Sequence, residues 1–476
     1  MKLLLGIDIG TSGAKAVATD LAGRRIADAS ARYPTSTDGA GAEQNAEHWW
    51  EAVAQIVPSV VAGGEVLAVA VTSQAPTLVP VDAVGSPTGP ALTWLDRRAV
   101  TEGLELAETV PESRNGADPF FGTAKLPWMA RHRASALSRA AYVLSSNGFL
   151  VHRLTGKATL DDTTASLMQG FDEISGTFDD RLLRQEPSVG LLAPVVPSTS
   201  VVGTVTARAA AALGLAEGTP VVAGGIDSIG SALEAGALRP GDPLVDMTGF
   251  SSVTISAVPA GIHVPGFIHC RHCLEGTDLL ITAQVTAGAA VDWVNSLDST
   301  RDLRDDEALL SRPRPGRLTM VPSLAGERTP SWNPAARGII AGIDLSTDGT
   351  DLLLAAMEGN ALGLAADVAT MTRHGYPVDR VLSTGGGASS RAWLQIKADV
   401  LGLPVMKPKN GHGAAQGAAA LAGLGVGVYT SAEDLYELTR RIDEEFLPDT
   451  GKREAYRAAR RRYRELTALN RPRPRP

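Results

Sequence analysis

Residues 6–15, Gly-Ile-Asp-Ile-Gly-Thr-Ser-Gly-Ala-Lys, constrain this chain more than any other stretch. An apolar run (Leu3, Leu4, Leu5, Ile7, Ile9) feeds a tight turn with glycines at 10 and 13, and a second strand leaves it from Lys15 to Thr19. Such a turn exposes backbone N–H groups, and Thr11 and Ser12 place hydroxyls beside them. A concave anion site can then form without a helix dipole. Asp8 lies one strand step back, where a carboxylate can hold a hydrated Mg²⁺ against a phosphate. Taken alone, the stretch is equally an ordinary β-hairpin. In a wider site it reads as the phosphate clamp of an ATP-using enzyme, with Lys15 neutralising phosphate charge.

The pattern recurs about 240 residues later. Leu244 to Met247 leads into the turn Thr248-Gly249-Phe250-Ser251, and Ser252 to Ser256 follows. This internal echo predicts two related halves facing one nucleotide. A length of 476 residues also exceeds what one core usually supports. The expected division is 1–238, 239–450 and a basic tail, 451–476.

Between the echoes, strands are expected at 3–9, 14–20, 24–31, 66–72 and 219–223. A helix capped by Asn45 should bury Trp49, Trp50, Val53 and Ile56–Val57. Later come a long helix from about 351 to 374, a strand at 381–384 and an amphipathic helix bearing Trp393, Ile396, Val400 and Leu401. The last helix, near 453–469, puts Tyr456, Tyr463 and Leu466 on one side and arginines on the other.

A net charge of −8 argues against a nucleic-acid partner over most of the surface. From Lys452 onward the net charge is +8, read as a solvated helix face, and the closing Arg-Pro repeat should be extended. The first residues lack a secretory apolar region, and no segment is expected to span a bilayer. The uncharged Gly/Ala-rich stretch Asn410–Ser431 reads as a tightly packed helix. Two cysteines, Cys270 and Cys273, lack the second ligand pair of a zinc site and suit a reducing, cytoplasmic compartment. There is no G-x-x-x-x-G-K-[ST] loop, and Gly411-His-Gly413 with Gly417 is not a dinucleotide fingerprint.

Phosphoryl transfer to an alcohol needs a phosphate cradle, a metal, a base beside the hydroxyl, and exclusion of water. Asp227, after an apolar strand and two glycines, is the candidate base, and equally a helix-capping aspartate. Trp94 offers a flat apolar face to a sugar and Asp96 a hydrogen-bonding carboxylate, although a structural pair with Arg98 explains the same segment. Ser73-Gln74-Ala75-Pro76-Thr77 ends a strand where a ligand-reading loop would sit. Gly385–Ala388 leaves bare backbone for a nucleobase or ribose. Glu43, Gln44, Trp49 and Trp50 read as packing.

In order along nearly the whole chain, GIDIGTSGAKAV, EQNAEHWWEAV, TWLDRR, GGIDSIGSALEAG, GERTPSWNPAARGIIAGI and GGGASSRAWLQIKADVLGLPV resemble the FGGY carbohydrate kinases of the actin–hexokinase superfamily. Gly338 to Glu358 fits the family's C-terminal signature. Around Lys125-Leu-Pro-Trp128 the N-terminal signature is approximate, with Gly122 replacing a small hydroxyl residue or proline. The resemblance implies an α/β fold of two actin-like (ribonuclease H-like) ATPase domains around a central cleft, with ATP and Mg²⁺ as cofactors. It places Asp227 at the catalytic base and Asp8 at the metal. The phosphate loops fall on Gly10, Thr11, Ser12, Lys15, Thr248 and Gly249, and further nucleotide contacts on Gly288, Gly386, Gly387 and Ala388. Gln74, Ala75, Pro76, Trp94 and Asp96 fall at the sugar.

Two departures bear on this. Phe250 replaces a small hydroxyl residue, and the sugar loop lacks both the Gln-Met-His of xylulose kinases and the Gln-Arg-Glu of glycerol kinases. Gly13 and Lys15 favour a ketose such as a pentulose. Alternatives are another polyol or sugar (glycerol, erythritol, gluconate), a catalytically weakened sugar-binding regulator, and a chaperone- or actin-like ATPase. Expected partners are a small-molecule sugar and ATP, with a homodimer admitted and neither nucleic acid nor membrane involved.

Overall fold

A computed structural model describes residues 1–297, 302–409, 413–439 and 442–470. The Arg-Pro tail and the glycine–histidine segment at 410–412 lie outside the described residues. Two compact units emerge, and neither is continuous in sequence. The first comprises Met1–Leu238, His269–Asp278 and His412–Arg440; the second comprises Arg239–Ile268, Leu279–Gly411 and Arg441–Pro476.

The first unit is built on β1 (Lys2–Ile9), β2 (Gly13–Thr19), β3 (Arg25–Arg32), β4 (Glu65–Ser73), β5 (Val201–Thr204) and β6 (Pro220–Ile226), in spatial order β5-β6-β4-β1-β2-β3. β1, β4 and β6 run parallel, and β2, β3 and β5 pair antiparallel to their neighbours. Side chains alternate across a strand, so β1 serves two layers. Leu3, Leu5, Ile7 and Ile9 join the core under the helix Ala46–Val60, where Trp49, Val53 and Val57 are buried. Asn45 caps that helix by accepting the Glu47 N–H.

Gly6, on the opposite face of β1, meets the helix Ala414–Gly425. A Cβ on Gly6 would lie 2.0 Å from the Ala415 carbonyl oxygen, and one on Gly417 would lie 1.7 Å from that of Gly230. The small residues there let backbones touch, which returns this late helix to the first unit. The expected boundary at 450 does not capture that return.

The second unit repeats the plan with β7 (Leu244–Thr248), β8 (Ser252–Pro259), β9 (Thr277–Gln284), β10 (Val381–Thr384), β11 (Val405–Pro408) and β12 (Ile442–Phe446), in order β9-β8-β7-β10-β11-β12. β7 pairs antiparallel with β8 and parallel with β10; β11 is parallel to β10, and β12 antiparallel to β11. The orientations of β7, β8, β10, β11 and β12 match those of β1, β2, β4, β6 and β5, and a seventh strand, Ile268–Arg271, lies outside β9. The repetition foreshadowed by two glycine turns therefore extends through five strands of each sheet.

The helix Gly349–Arg373 opens on a capping box between Asp348 and Asp351 and forms the middle of this core. By length and composition it is apolar enough to cross a membrane, which the sequence reading did not register. However, 72% of its most apolar window is buried inside the protein, as a core helix requires.

Candidate active site

The carboxyl ends of the parallel strands of an α/β sheet are where its ligand loops gather. In the first unit, β1 delivers Asp8, β4 delivers Ser73 and Gln74, and β6 delivers Asp227. Their register is explicit. Asp8 stands beside Thr72 on one side and Lys15 on the other, and Ile226 stands beside Ser73.

The Asp8 carboxylate accepts the Thr72 hydroxyl at 2.9 Å. Burial first, then repulsion from Asp227, pushes its pKa up to about 7, against the opposing effects of Thr72 and Lys15. Two carboxylates that disfavour each other's charge suit a divalent cation. Mg²⁺ is usually held by one or two carboxylates, with water and substrate phosphates completing the shell. No cluster of three or more metal-ligating side chains exists among the described residues, so an all-protein cage is not on offer.

Asp227 is the first residue of the helix Asp227–Ala235. The capping position falls on Ile226, and no side chain caps the helix, so the capping reading does not hold. Backbone crowding fixes its approach. Gly224 has φ +81°, and a Cβ there would lie 1.9 Å from the Val71 carbonyl oxygen. Below it lies a buried polar lattice that the sequence did not reveal. Thr163 Oγ1 accepts the Ile226 N–H and donates to Asp161; Asn147 donates to Asp161 and to the Ala223 carbonyl.

The turn after β1 closes when the Gly10 N–H donates to the Gly13 carbonyl. No protein acceptor takes the N–H groups of Thr11 and Ser12 among the described residues, which leaves a nest for an anion. Four side chains clamp the turn from behind. Tyr33 donates to the Gly10 carbonyl, Thr35 and Gln44 to the Thr11 carbonyl, and the Trp94 indole N–H to the Thr11 hydroxyl at 3.0 Å. Thr11 keeps its hydroxyl proton to donate.

Gln44 is the hub that sequence reasoning assigned to packing. Its oxygen accepts from Trp49 and from Gln74, while its amide nitrogen holds Thr11 and Thr35. The phosphate turn and the sugar loop are thus joined by one buried amide. The Gln74 Oε1 is buried without a partner among the described residues. An orphaned acceptor of this kind needs a donor.

Pro76, two residues on, faces Gly122. A Cβ at 122 would come within 3.0 Å of Pro76 Cβ, so the glycine there leaves room for the proline. Trp94 stacks edge-on to Phe120 with ring centroids 6.2 Å apart. Asp96 differs from its expected role. It is buried, and its carboxylate accepts from the Ala42 N–H and from Arg98, so it holds its loop through the structural alternative.

In the second unit, three glycine-bearing stretches converge beside Thr248. The Gly249 N–H donates to the Ser251 carbonyl, and the Gly288 N–H donates to the Gly249 carbonyl at 2.9 Å. A Cβ on Gly288 would lie 2.3 Å from that oxygen, and one on Gly385 (φ +80°) 2.6 Å from the Thr248 carbonyl oxygen. A Cβ on Gly386 would meet nothing within 4 Å, and Ala388 is buried beside this bare backbone. Phe250 is 73% exposed, and its carbonyl accepts the N–H groups of Ala287 and Ala289.

Thr248 itself is turned inward. Its hydroxyl donates to Asp246 and accepts from Lys397 at 2.8 Å, so the backbone, not this hydroxyl, is what the turn presents. Asp246 occupies the place in β7 that Asp8 occupies in β1. Lys397 holds its carboxyl below the usual range against the cost of burial. One copy of the repeat keeps its carboxylate open to chemistry; the other spends it on structure.

Cys270 and Cys273 are reduced, and burial raises both thiols well above the ordinary value.

Duplicated five-strand patterns, each opening on a glycine turn, with paired carboxylates in one copy and bare backbone in the other, define a phosphotransferase of the actin-like ATPase class. The family model for the N-terminal domain of the FGGY family of carbohydrate kinases matches residues 3–233, and that for the C-terminal domain matches residues 248–426; the chain belongs to this family. It is a carbohydrate kinase with ATP as substrate.

A xylulose kinase of Streptomyces rubiginosus is 32% identical over 88% of this chain and 87% of its own length. One of Bacillus subtilis is 29% identical over 96% of this chain and 95% of its own. The crystal structure of xylulose kinase from Rhodospirillum rubrum superimposes with a TM-score of 0.89 at 30% identity, covering 98% of each chain.

Proposed function

We propose that this kinase transfers the γ-phosphoryl group of ATP to a hydroxyl of a ketose, a pentulose in the first instance, with Asp227 as the base. The supporting observation is the grouping of Asp8, Asp227 and the buried, unpartnered Gln74 oxygen at adjacent strand ends of one sheet. Gln74 accepts a hydrogen bond from a sugar hydroxyl and orients the ring or chain. Asp227 takes the proton of the reacting hydroxyl as its oxygen bonds to the γ-phosphorus and the bond to the ADP oxygen breaks.

The Thr11 and Ser12 N–H groups, the Thr11 hydroxyl and Lys15 hold phosphate oxygens. Gly249, Gly288 and Gly386–Ala388 supply bare backbone to the nucleotide. Asp8, with Asp227 beside it, would hold Mg²⁺, which when bound neutralises charge on the phosphates. The relatives' names support the ketose, as do Gly13 and Lys15.

A coupled ADP-release screen over ketoses, aldoses and polyols tests the reading. Strong turnover on a ketopentose is expected. Turnover confined to glycerol or gluconate would replace the substrate, and binding across the panel without turnover would favour a sugar-responsive regulator.

A further inference from the structure

The basic last helix, Arg453–Leu469, plays no part in the chemistry above. Its buried side is Tyr456, Ala459 and Tyr463. Arg457, Arg460, Arg461 and Arg464 follow one another at intervals that place them along a single stripe. Together with Arg373, from the last turn of the helix Gly349–Arg373, they line a groove of about 360 Å³. None of its lining side chains is acidic, and Thr248, Gly249, Gly288 and Gly386 lie outside it.

Arg457 pairs with Glu454 on its own helix, and Arg460 donates to the Val400 carbonyl. Arg373 donates to Thr370. No carboxylate pairs with Arg373, Arg460, Arg461 or Arg464 among the described residues. Like charges at this spacing destabilise a helix. Burial and the neighbouring Arg457, Arg453 and Arg464 charges push the Arg460 guanidinium below its ordinary value.

We propose that this five-arginine groove is a binding site for a small phosphorylated anion, distinct from the sugar and nucleotide residues. Guanidinium forks match phosphate oxygens in pairs, and the groove has the volume of a small-molecule site. A concave pocket closed on one side by a core helix fits a compact anion. An extended nucleic acid would need a basic track, whereas the chain outside the basic tail carries a net −16. The inference does not depend on which sugar the enzyme phosphorylates.

The test is calorimetric titration of the full-length protein with inorganic pyrophosphate in Mg²⁺-free buffer at physiological salt, its nucleotide site saturated by a non-hydrolysable ATP analogue. One binding event is expected. Affinity should fall about tenfold for each guanidinium removed, in Arg457→Gln/Arg461→Gln and, separately, in Arg373→Gln. Basal kinase activity and the far-ultraviolet circular dichroism should be retained in both variants. Absence of binding to wild type at millimolar pyrophosphate would overturn the proposal, as would equal binding by the variants. Retention of a duplex oligonucleotide that these substitutions abolish, without pyrophosphate binding, would overturn it in favour of nucleic acid.

Discussion

Replacing Lys397 by methionine isolates the ion pair beneath the second phosphate turn. The lysine ammonium contacts Asp246 at 2.5 Å, Thr248 at 2.8 Å and Ser383 at 3.2 Å, and both charged side chains are wholly buried. Methionine fills nearly the same volume, so the main effect is a carboxylate left buried with only the hydroxyls of Thr248, Ser252 and Ser383 for company. Removing one partner of such a pair costs about 3–5 kcal/mol. For a unit of roughly 200 residues that lowers the melting temperature by roughly 6–20 °C.

The pH dependence has a definite sign. In the native protein Asp246 lies below its unfolded pKa, so its contribution is present above the ordinary carboxylate range and is lost as pH falls through the folded value. Without Lys397, burial raises that pKa and protonation relieves the penalty. The gap between wild type and variant should therefore be widest near neutrality and narrow on acidification. Calorimetric melts at neutral and mildly acidic pH read this directly. Lys397→Met/Asp246→Asn should recover part of the loss. A loss of under about 1 kcal/mol, or one independent of pH, would refute the reasoning.

Two further outcomes follow from the first unit. Gln44→Leu leaves the Trp49 and Gln74 N–H groups unpaired and removes one of the two side-chain donors to the Thr11 carbonyl, costing roughly 2–6 kcal/mol in melts at about 1–3 kcal/mol per orphaned group. It should also raise KM for the sugar more than it lowers kcat, and an unchanged KM would confine Gln44 to packing. Asp8→Asn should raise the Mg²⁺ concentration giving half-maximal turnover by about tenfold or more. An unaltered Mg²⁺ profile would remove Asp8 from the metal.

Much of this architecture was legible because it is local. Each strand–glycine turn–strand unit declares itself within about fifteen residues. The bounds of β10 (Val381–Thr384) and of the last helix (Arg453–Leu469) came out as the spacing implied.

What escaped depends on distant partners. Ala91–Leu92 is a strand because Glu43 and Gln44 pair with it on one side and Leu78 on the other. The helix Ala414–Gly425 rejoins the first unit because Gly6, Gly230 and Gly417 permit backbone contact, which a run of small residues hints at without naming its target. Asp96 and Gln44 both departed from their expected roles for the same reason. An aspartate two residues from an arginine can serve either a ligand or its neighbour, and a glutamine before a helix cap gives no sign of its reach. For Asp246 the signal was present, since it aligns with Asp8 in the echo, yet only the fold shows Lys397 beneath it.

The most direct test compares Asp227→Asn with wild type, measuring phosphoryl transfer to the preferred ketose alongside calorimetric affinity for that sugar. If Asp227 accepts the hydroxyl proton, kcat falls roughly a hundred- to ten-thousandfold while sugar binding is retained. Turnover within about tenfold of wild type, with binding intact, would contradict that assignment.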